Sequence, residues 1–93
     1  MPGNLQPLYN LTKLSHLKLG YNEFTGNIVG IESLVNLEFL GLMNNLLSGN
    51  LQPLICLTKL RYLYLDNNRF TGSIKYLTKL ETWSASGNDF DGS

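Results

Sequence analysis

The chain has 93 residues, of which 43% are hydrophobic and 15% are charged. This composition excludes a disordered polyampholyte and a membrane-spanning protein, and the length allows one domain at most. Seven basic and seven acidic residues cancel, and no two basic residues are adjacent. The sequence therefore lacks the electrostatic footprint of nucleic-acid binding or of attachment to an anionic membrane, so we expect neither nucleic acid as a partner nor membrane insertion.

The chain opens with the end of a repeat. The segment GNLQPLYNLTKL, which begins at Gly3, matches GNLQPLICLTKL, which begins at Gly49, at almost every position. Residues 1–10 are therefore predicted to be a partial repeat. The triplet Asn10-Leu11-Thr12 fits the acceptor sequence for N-glycosylation, but we interpret it as an ordinary turn. The residues that follow Met1 do not resemble a signal peptide.

Three full copies of one pattern follow, and they begin at Leu11, Leu34 and Leu57. Each copy reads LxxLxxLxLxxN and reaches a glycine shortly after the asparagine, with a period of 23 residues. A fixed period in this range indicates a stacked repeat architecture. We predict a single domain over 1–93, with full repeats at 11–33, 34–56 and 57–76 and an incomplete terminal repeat at 77–93.

The repeated columns predict what each position does. Alternating leucines suit a short strand with one buried face, and such strands stacked at about 4.8 Å form a parallel sheet. The asparagine after each strand can bond backbone groups that the turn leaves unpaired, and the glycine permits positive φ or close approach of the next coil. The predicted structural residues are Asn22, Asn45, Asn68 and Asn88 together with Gly26, Gly49 and Gly72, and Gly3 and Gly92 share the glycine column.

In the terminal repeat, Trp83 and Ala85 stand where the other copies have leucines. This exchange fits either a paired change of volume in the core or a degenerate last coil.

These motifs resemble those of leucine-rich repeat proteins, and the resemblance covers essentially the whole chain. The continuation NxFTGxI, present at 22–28 and 68–74, is similar to the subclass common in plant receptors. Two features differ from that subclass: the proline that usually follows the isoleucine is absent, and the period is slightly shorter. The resemblance implies an α/β-type repeat solenoid, with a short-stranded parallel sheet on the concave side and a mostly irregular or 3-10 convex side.

The resemblance also implies a non-catalytic module that binds a protein or peptide on the concave sheet. Aromatic residues and methionine between the leucines form the type of composition that is enriched at binding hot spots. The candidate ligand-binding residues are His16, Lys18, Tyr21, Phe39, Met43, Arg61, Tyr62, Tyr64 and Asp66. The alternative is a structural spacer, a fragment of a longer repeat protein or receptor ectodomain, in which the aromatic residues serve only packing across the sheet. Because neither end shows a polar cap, we also expect self-association through the ends.

Enzyme chemistry finds little support in the sequence. The nucleophile candidate Cys56 and the base candidate His16 lie two coils apart, too far for a hydrogen bond. We expect no catalytic residues, no cofactor and no metal site, because the acidic residues show no repeated oxygen-ligand pattern. Cys56 is predicted to be a small buried or half-buried filler. A single cysteine favours an intracellular location, but a fragment of a secreted or receptor protein would also fit, so the compartment stays open.

Overall fold

The computed structural model describes residues 2–91, so Gly92, the predicted last member of the glycine column, lies outside the described residues. The strands are β1 (Pro2–Gly3), β2 (His16–Lys18), β3 (Glu23–Gly26), β4 (Phe39–Gly41), β5 (Leu46–Gly49), β6 (Tyr62–Tyr64), β7 (Arg69–Phe70) and β8 (Thr82–Ser84). Short 3-10 helices lie at Gln6–Leu8, Ile31–Ser33, Gln52–Leu54 and Lys75–Lys79. The order strand, strand, 3-10 helix recurs from coil to coil, so the predicted repeat solenoid is confirmed.

The strands that carry the leucine pattern form one parallel sheet in the order β2-β4-β6-β8, which we call the front sheet. Its register aligns Leu17, Leu40, Leu63 and Trp83 on the inner face. The three leucines are buried, whereas Trp83 on the edge strand β8 is 38% exposed. Ala85 is partly buried against the same core. The tryptophan therefore lies at the open edge of the core and not within it.

The asparagines after the front strands β4, β6 and β8 each tie their coil to the preceding one. Asn68 donates from Nδ2 to the carbonyl oxygens of Leu65 in its own coil (3.1 Å) and Leu42 in the preceding coil (2.8 Å). Its Oδ1 accepts a hydrogen bond from the backbone N–H of Leu47 at 3.0 Å. Asn45 and Asn88 make the equivalent bonds in their own coils. This ladder satisfies backbone groups that would otherwise be left unpaired where the chain turns away from the sheet.

A second parallel sheet, in the order β1-β3-β5-β7, is an addition that the repeat pattern does not predict. Its strands follow the asparagines and direct Phe24, Leu47 and Phe70 into the core, where all three are buried. In the coils of β3, β5 and β7 a glycine then takes a positive φ, 85° at Gly26 and 89° at Gly49, which turns the chain toward the 3-10 helix. The 3-10 helices are those expected on the convex side.

Each internal 3-10 helix directs only a small part of its surface inward. In Gln52–Leu54 the buried residue is Leu54, and the chain then passes through Ile55 and Cys56 on the solvent side before Leu57 returns to the core. Cys56 is exposed. The prediction that it is a buried or half-buried filler is therefore wrong, because the bridge between two coils needs only one inward residue at this point.

Candidate ligand-binding surface

The outer face of the front sheet presents two residues from each strand, and the strand register sorts them into two rows. Successive side chains of a strand point to opposite faces, so both rows point away from the buried leucines. The first row is His16, Phe39, Tyr62 and Thr82, and the second is Lys18, Gly41, Tyr64 and Ser84. These rows form the outer face of the sheet across all four strands, and all their members except the buried Gly41 are half-buried or exposed.

Phe39 is the centre of an aromatic cluster, which consists of Phe39, His16, Tyr62 and Tyr64. The ring centroid of Phe39 lies 5.9 Å from that of His16, with the ring planes within 13° of each other. The centroids of Tyr62 and Tyr64 lie at 6.0 Å and 5.4 Å from Phe39. Such distances give attractive ring contacts. His16 is exposed and the other three are half-buried, so the aromatic cluster offers contact area while holding its own geometry.

Cations flank the aromatic cluster on two sides. Lys18 Nζ lies 5.2 Å from the ring centroid of Phe39, and Arg61 Cζ lies 5.6 Å from that of Tyr62. Arg61 is also engaged by Glu81 in a two-pronged ion pair, with Nε to Oε2 at 2.8 Å and a second bond at 3.2 Å. This hydrogen-bonded pair lowers the pKa of the Glu81 carboxyl and raises the pKa of Arg61. The guanidinium of Arg61 is therefore already neutralised, whereas Lys18 has no carboxylate at salt-bridge distance within residues 2–91.

A groove of about 340 Å³ adjoins the aromatic cluster, because glycines interrupt the outer face. Gly41 leaves a gap between Lys18 and Tyr64 in the second row, and the thioether of Met43 lies over Gly20. We call this feature the Gly41 groove, and it is lined by Lys18, Gly20, Tyr21, Phe39, Gly41 and Met43. Its walls are mainly apolar, and among the described residues the ammonium group of Lys18 is its one charged group.

Tyr21 stands beside the Gly41 groove in a left-handed backbone conformation, with φ of 60°, and is 77% exposed. The equivalent positions in the next coils hold Asn44, Asn67 and Gly87, which also have positive φ. Asparagine and glycine tolerate this region, but a bulky residue rarely adopts it. Tyr21 thus combines backbone strain with an exposed aromatic ring.

The structure brings six of the candidate residues together in and around the aromatic cluster: His16, Lys18, Phe39, Arg61, Tyr62 and Tyr64. Tyr21 and Met43 line the adjoining groove. Asp66 follows β6 and is half-buried, and its Oδ1 has no hydrogen-bond partner in the described part of the chain. The prediction omitted Gly20 and Gly41, because a residue without a side chain carries no chemistry of its own. The repeat alignment could have revealed Gly41, because it places this glycine in the same row as Lys18 and Tyr64.

The described residues contain neither a cluster of metal-ligating side chains nor a membrane-spanning helix. Within residues 2–91, no three His, Cys, Asp or Glu side chains come close enough together to hold a metal ion. No helix in the same range has the length and apolar character required to cross a membrane.

Comparisons with known proteins agree with the fold and the repeat pattern. The leucine-rich repeat family model matches residues 59–80. The leucine-rich repeat ectodomain of the receptor kinase SOBIR1 from Arabidopsis thaliana is 32% identical with a TM-score of 0.88, over 97% of this chain and 54% of that one. The ectodomain of the Arabidopsis thaliana receptor kinase GASSHO1/SCHENGEN3, solved with CASPARIAN STRIP INTEGRITY FACTOR 2, is 34% identical with a TM-score of 0.84, over 96% and 12%.

The plant peptide hormone receptor RGFR1, solved in complex with RGF2, is 33% identical with a TM-score of 0.82, over 96% of this chain and 15% of the receptor. No curated protein matches the sequence. The chain thus spans about half of the SOBIR1 ectodomain and a much smaller part of the other two receptors. Its fold defines it as a leucine-rich repeat solenoid.

The chain is a leucine-rich repeat protein of the plant-receptor type.

Proposed function

We propose that this chain is a non-catalytic interaction module that binds a protein or peptide on the outer face of the front sheet. The observation that carries the proposal is the aromatic cluster itself. It crosses three strands, is partly open to solvent, and is flanked by cations and by a groove. Exposed aromatic clusters are typical of surfaces that another molecule covers.

The similar receptors give the proposal its second support. GASSHO1/SCHENGEN3 and RGFR1 were each solved in complex with a ligand, and RGFR1 is described as a peptide hormone receptor. A short peptide in an extended conformation can lie across such a sheet face and contact both rows, because alternate side chains of the peptide point toward the sheet. We therefore place the ligand across the rows that contain Phe39 and Tyr64, and we assign the candidate ligand-binding residues to this role.

The proposal is tested by selection from a random peptide library displayed on phage. The wild-type chain is the bait, and the double variant Tyr62→Ala/Tyr64→Ala is the counter-bait. We expect peptides that bind the wild type and lose at least about tenfold in affinity for the double variant, because two aromatic contacts are removed. Circular dichroism of both proteins checks that the fold is retained.

The matched control is Val35→Ala/Ile55→Ala, which truncates two apolar side chains that are 50% and 48% exposed outside the front sheet. This variant should bind the selected peptides as the wild type does. Peptides that bind the Tyr62→Ala/Tyr64→Ala variant equally well would refute the assigned surface. Failure to select any peptide would favour the alternative, a structural spacer within a longer repeat protein.

A further inference from the structure

We infer that the ligand of the front sheet carries an acidic group, an apolar side chain and a basic group in that spatial order. The acidic group would pair with Lys18, the apolar side chain would enter the Gly41 groove, and the basic group would pair with Asp66. This inference rests on the proposed function and adds to it the chemistry of the ligand. It follows from the opposite, unpaired charges at the two ends of one apolar surface.

Lys18 forms the cationic end. Its ammonium group lies over the Phe39 ring at 5.2 Å from the centroid, at the mouth of the Gly41 groove. Within residues 2–91 no carboxylate forms a salt bridge with it. The other cation beside the aromatic cluster, Arg61, is occupied by Glu81. A carboxylate brought by a ligand would therefore find Lys18 free and already held in place by the ring.

Asp66 forms the anionic end. It lies two residues beyond Tyr64, level with Met43, which lies two residues beyond Gly41 on the neighbouring strand. Its side chain is half-buried. The buried Oδ1 accepts no hydrogen bond from any described residue, and Asp66 takes part in no salt bridge in the same range. A carboxylate oxygen that is removed from water without a donor lowers stability. Because Oδ1 itself is buried, an ammonium or guanidinium group from a ligand would pair with the rest of this carboxylate, which no described residue engages in an ion pair.

The Gly41 groove lies between these ends and is the apolar part of the surface. A Cβ added at Gly41 would lie 3.4 Å from Phe39 Cε1 and 3.7 Å from Met43 Cε, so the gap is bounded by carbon and sulfur atoms. Its volume of about 340 Å³ is large enough to admit an apolar side chain between Phe39 and Met43. In the described part of the chain, Lys18 is the one charged residue that lines it.

The spacing of the two charges sets the length of the ligand motif. Lys18 is on β2, and Asp66 lies two strands away and two residues further along the strand direction. Strand spacings of about 4.8 Å and rises of about 3.3 Å per residue place the two backbone positions about 12 Å apart. An extended peptide covers this distance in about three to four residues. The acidic and basic residues of the ligand should therefore be about that far apart, with the apolar residue between them.

The test is a selection from the random peptide library with three baits: wild type, Lys18→Glu and Asp66→Asn. We expect wild-type ligands to contain an acidic, an apolar and a basic residue at this spacing. The Lys18→Glu bait should enrich a basic residue in place of the acidic one. The Asp66→Asn bait should lose the enrichment of the basic residue. Affinity of a wild-type ligand should fall about tenfold for Lys18→Glu, which reverses a charge, and about threefold for Asp66→Asn, which only removes one.

The outcomes separate this inference from the proposed function. The inference would be overturned if the selected peptides depend on Tyr62 and Tyr64 but show no charge pattern. It would also be overturned if they show the same charge pattern with all three baits. In both cases the proposed binding surface would stand. A selection with no enrichment over the Tyr62→Ala/Tyr64→Ala bait would overturn both. If either charge variant fails to fold, the presence or absence of the acidic, apolar and basic residues in the peptides selected by the wild type tests the inference.

Discussion

Tyr21 is the residue whose backbone conformation fits its side chain least. Its φ of 60° is shared with Asn44 and Asn67, which tolerate the left-handed region better. We predict that Tyr21→Asn raises the free energy of unfolding by about 0.5–1 kcal/mol, because asparagine adopts this conformation at lower cost. The two asparagines already interact, since Asn67 Nδ2 donates to Asn44 Oδ1 at 2.9 Å, and an amide in the preceding coil would extend that contact. Urea denaturation of both proteins measures the change.

The reverse substitution, Asn44→Tyr, is the control for Tyr21→Asn and should lower stability by a similar amount. If Tyr21→Asn is less stable than the wild type, the strain argument is wrong at this position. A gain in stability together with weaker binding of selected peptides would show that the tyrosine is kept for contact with a ligand and not for the fold.

A substitution at Gly41 should affect stability and peptide binding in different ways. Gly41 lies in the middle of the front sheet, where glycine is unfavourable and a β-branched residue favourable. A Cβ there would meet Phe39 at an ordinary contact distance of 3.4 Å. We therefore expect Gly41→Val to leave the free energy of unfolding unchanged or to raise it by up to about 1 kcal/mol. The valine should also fill the groove and weaken peptide binding at least about tenfold. Calorimetric melting and peptide titration measure the two effects, and undiminished binding would show that the groove takes no ligand group.

At the scale of the element, the asparagine ladder joins each coil to the next. Asn68 is buried and bonds backbone groups of Leu42, Leu47 and Leu65. Truncation would leave these groups without partners, and we predict that Asn68→Ala lowers the free energy of unfolding by about 3 kcal/mol. Chemical denaturation followed by circular dichroism measures the loss.

Asn50 provides the matched control for the ladder. It is exposed, and its Oδ1 accepts a hydrogen bond only from the backbone of Gln52 among the described residues, at 2.9 Å. Asn50→Ala should cost no more than about 1 kcal/mol. Equal losses for Asn50→Ala and Asn68→Ala would mean that the ladder contributes nothing beyond an ordinary turn bond.

The contact between residues 2–10 and the next coil should weaken at alkaline pH. Tyr9 is buried against Gly30, and its hydroxyl has no hydrogen-bond partner in the described part of the chain. Burial, reinforced by the carboxylate of Glu32, raises the pKa of Tyr9 from 10.0 to about 12. The folded state thus holds the proton more tightly than the unfolded state. Its contribution is complete below pH 10 and is lost as the pH rises toward 12.

We predict that Tyr9→Phe loses less stability than the wild type between pH 10 and pH 12, because the residue no longer titrates. At neutral pH its stability should be equal or higher, since an unsatisfied hydroxyl is removed. Burial also raises the pKa of Tyr76, so part of the alkaline loss should remain in the variant. Urea denaturation across this pH range measures both proteins, and identical pH profiles would contradict the assignment to Tyr9.

The elements differ in how far the sequence predicts them. The front sheet follows from the leucine spacing, because the same alternation of leucines with other residues occurs in three full copies and predicts the same strand each time. The second sheet does not, because strands such as Arg69–Phe70 contain too few residues to show a period, and they exist only because neighbouring coils pair with them. The burial predicted for Cys56 is wrong for a related reason. The bridge between coils has no period that distinguishes Leu54, which is buried, from Ile55 and Cys56, which are exposed.

The candidate site is predictable as a set of residues but not as a shape. The repeat alignment brings His16, Phe39 and Tyr62 into one row, so their proximity follows from sequence. The ring contacts, the pairing of Arg61 with Glu81 and the unpaired oxygen of Asp66 depend on side-chain rotamers, and no repeat pattern specifies those.

The whole molecule exposes apolar surface at both ends of the stack. Trp83 on the edge strand β8 is 38% exposed, and at the other end Leu11 is 50% exposed beside a hollow formed by residues 10–14. The edge strands β2 and β8 also offer unpaired backbone groups to a further parallel strand. Since the two ends differ, they can stack head to tail, and such contacts do not close into a dimer. We predict that the isolated chain self-associates with increasing concentration, in a series of oligomers.

Sedimentation velocity over a range of concentrations measures this association, and Trp83→Lys should reduce it by placing a charge where the next coil would stack. Thr82→Lys is the control, because Thr82 lies on the same edge strand but points to the outer face, so the substitution adds the same charge without removing the apolar contact. If both variants reduce association equally, the charge on the edge strand is responsible and not the indole. A monomer at every concentration would show that the exposed tryptophan and leucine ends are too small to drive stacking alone.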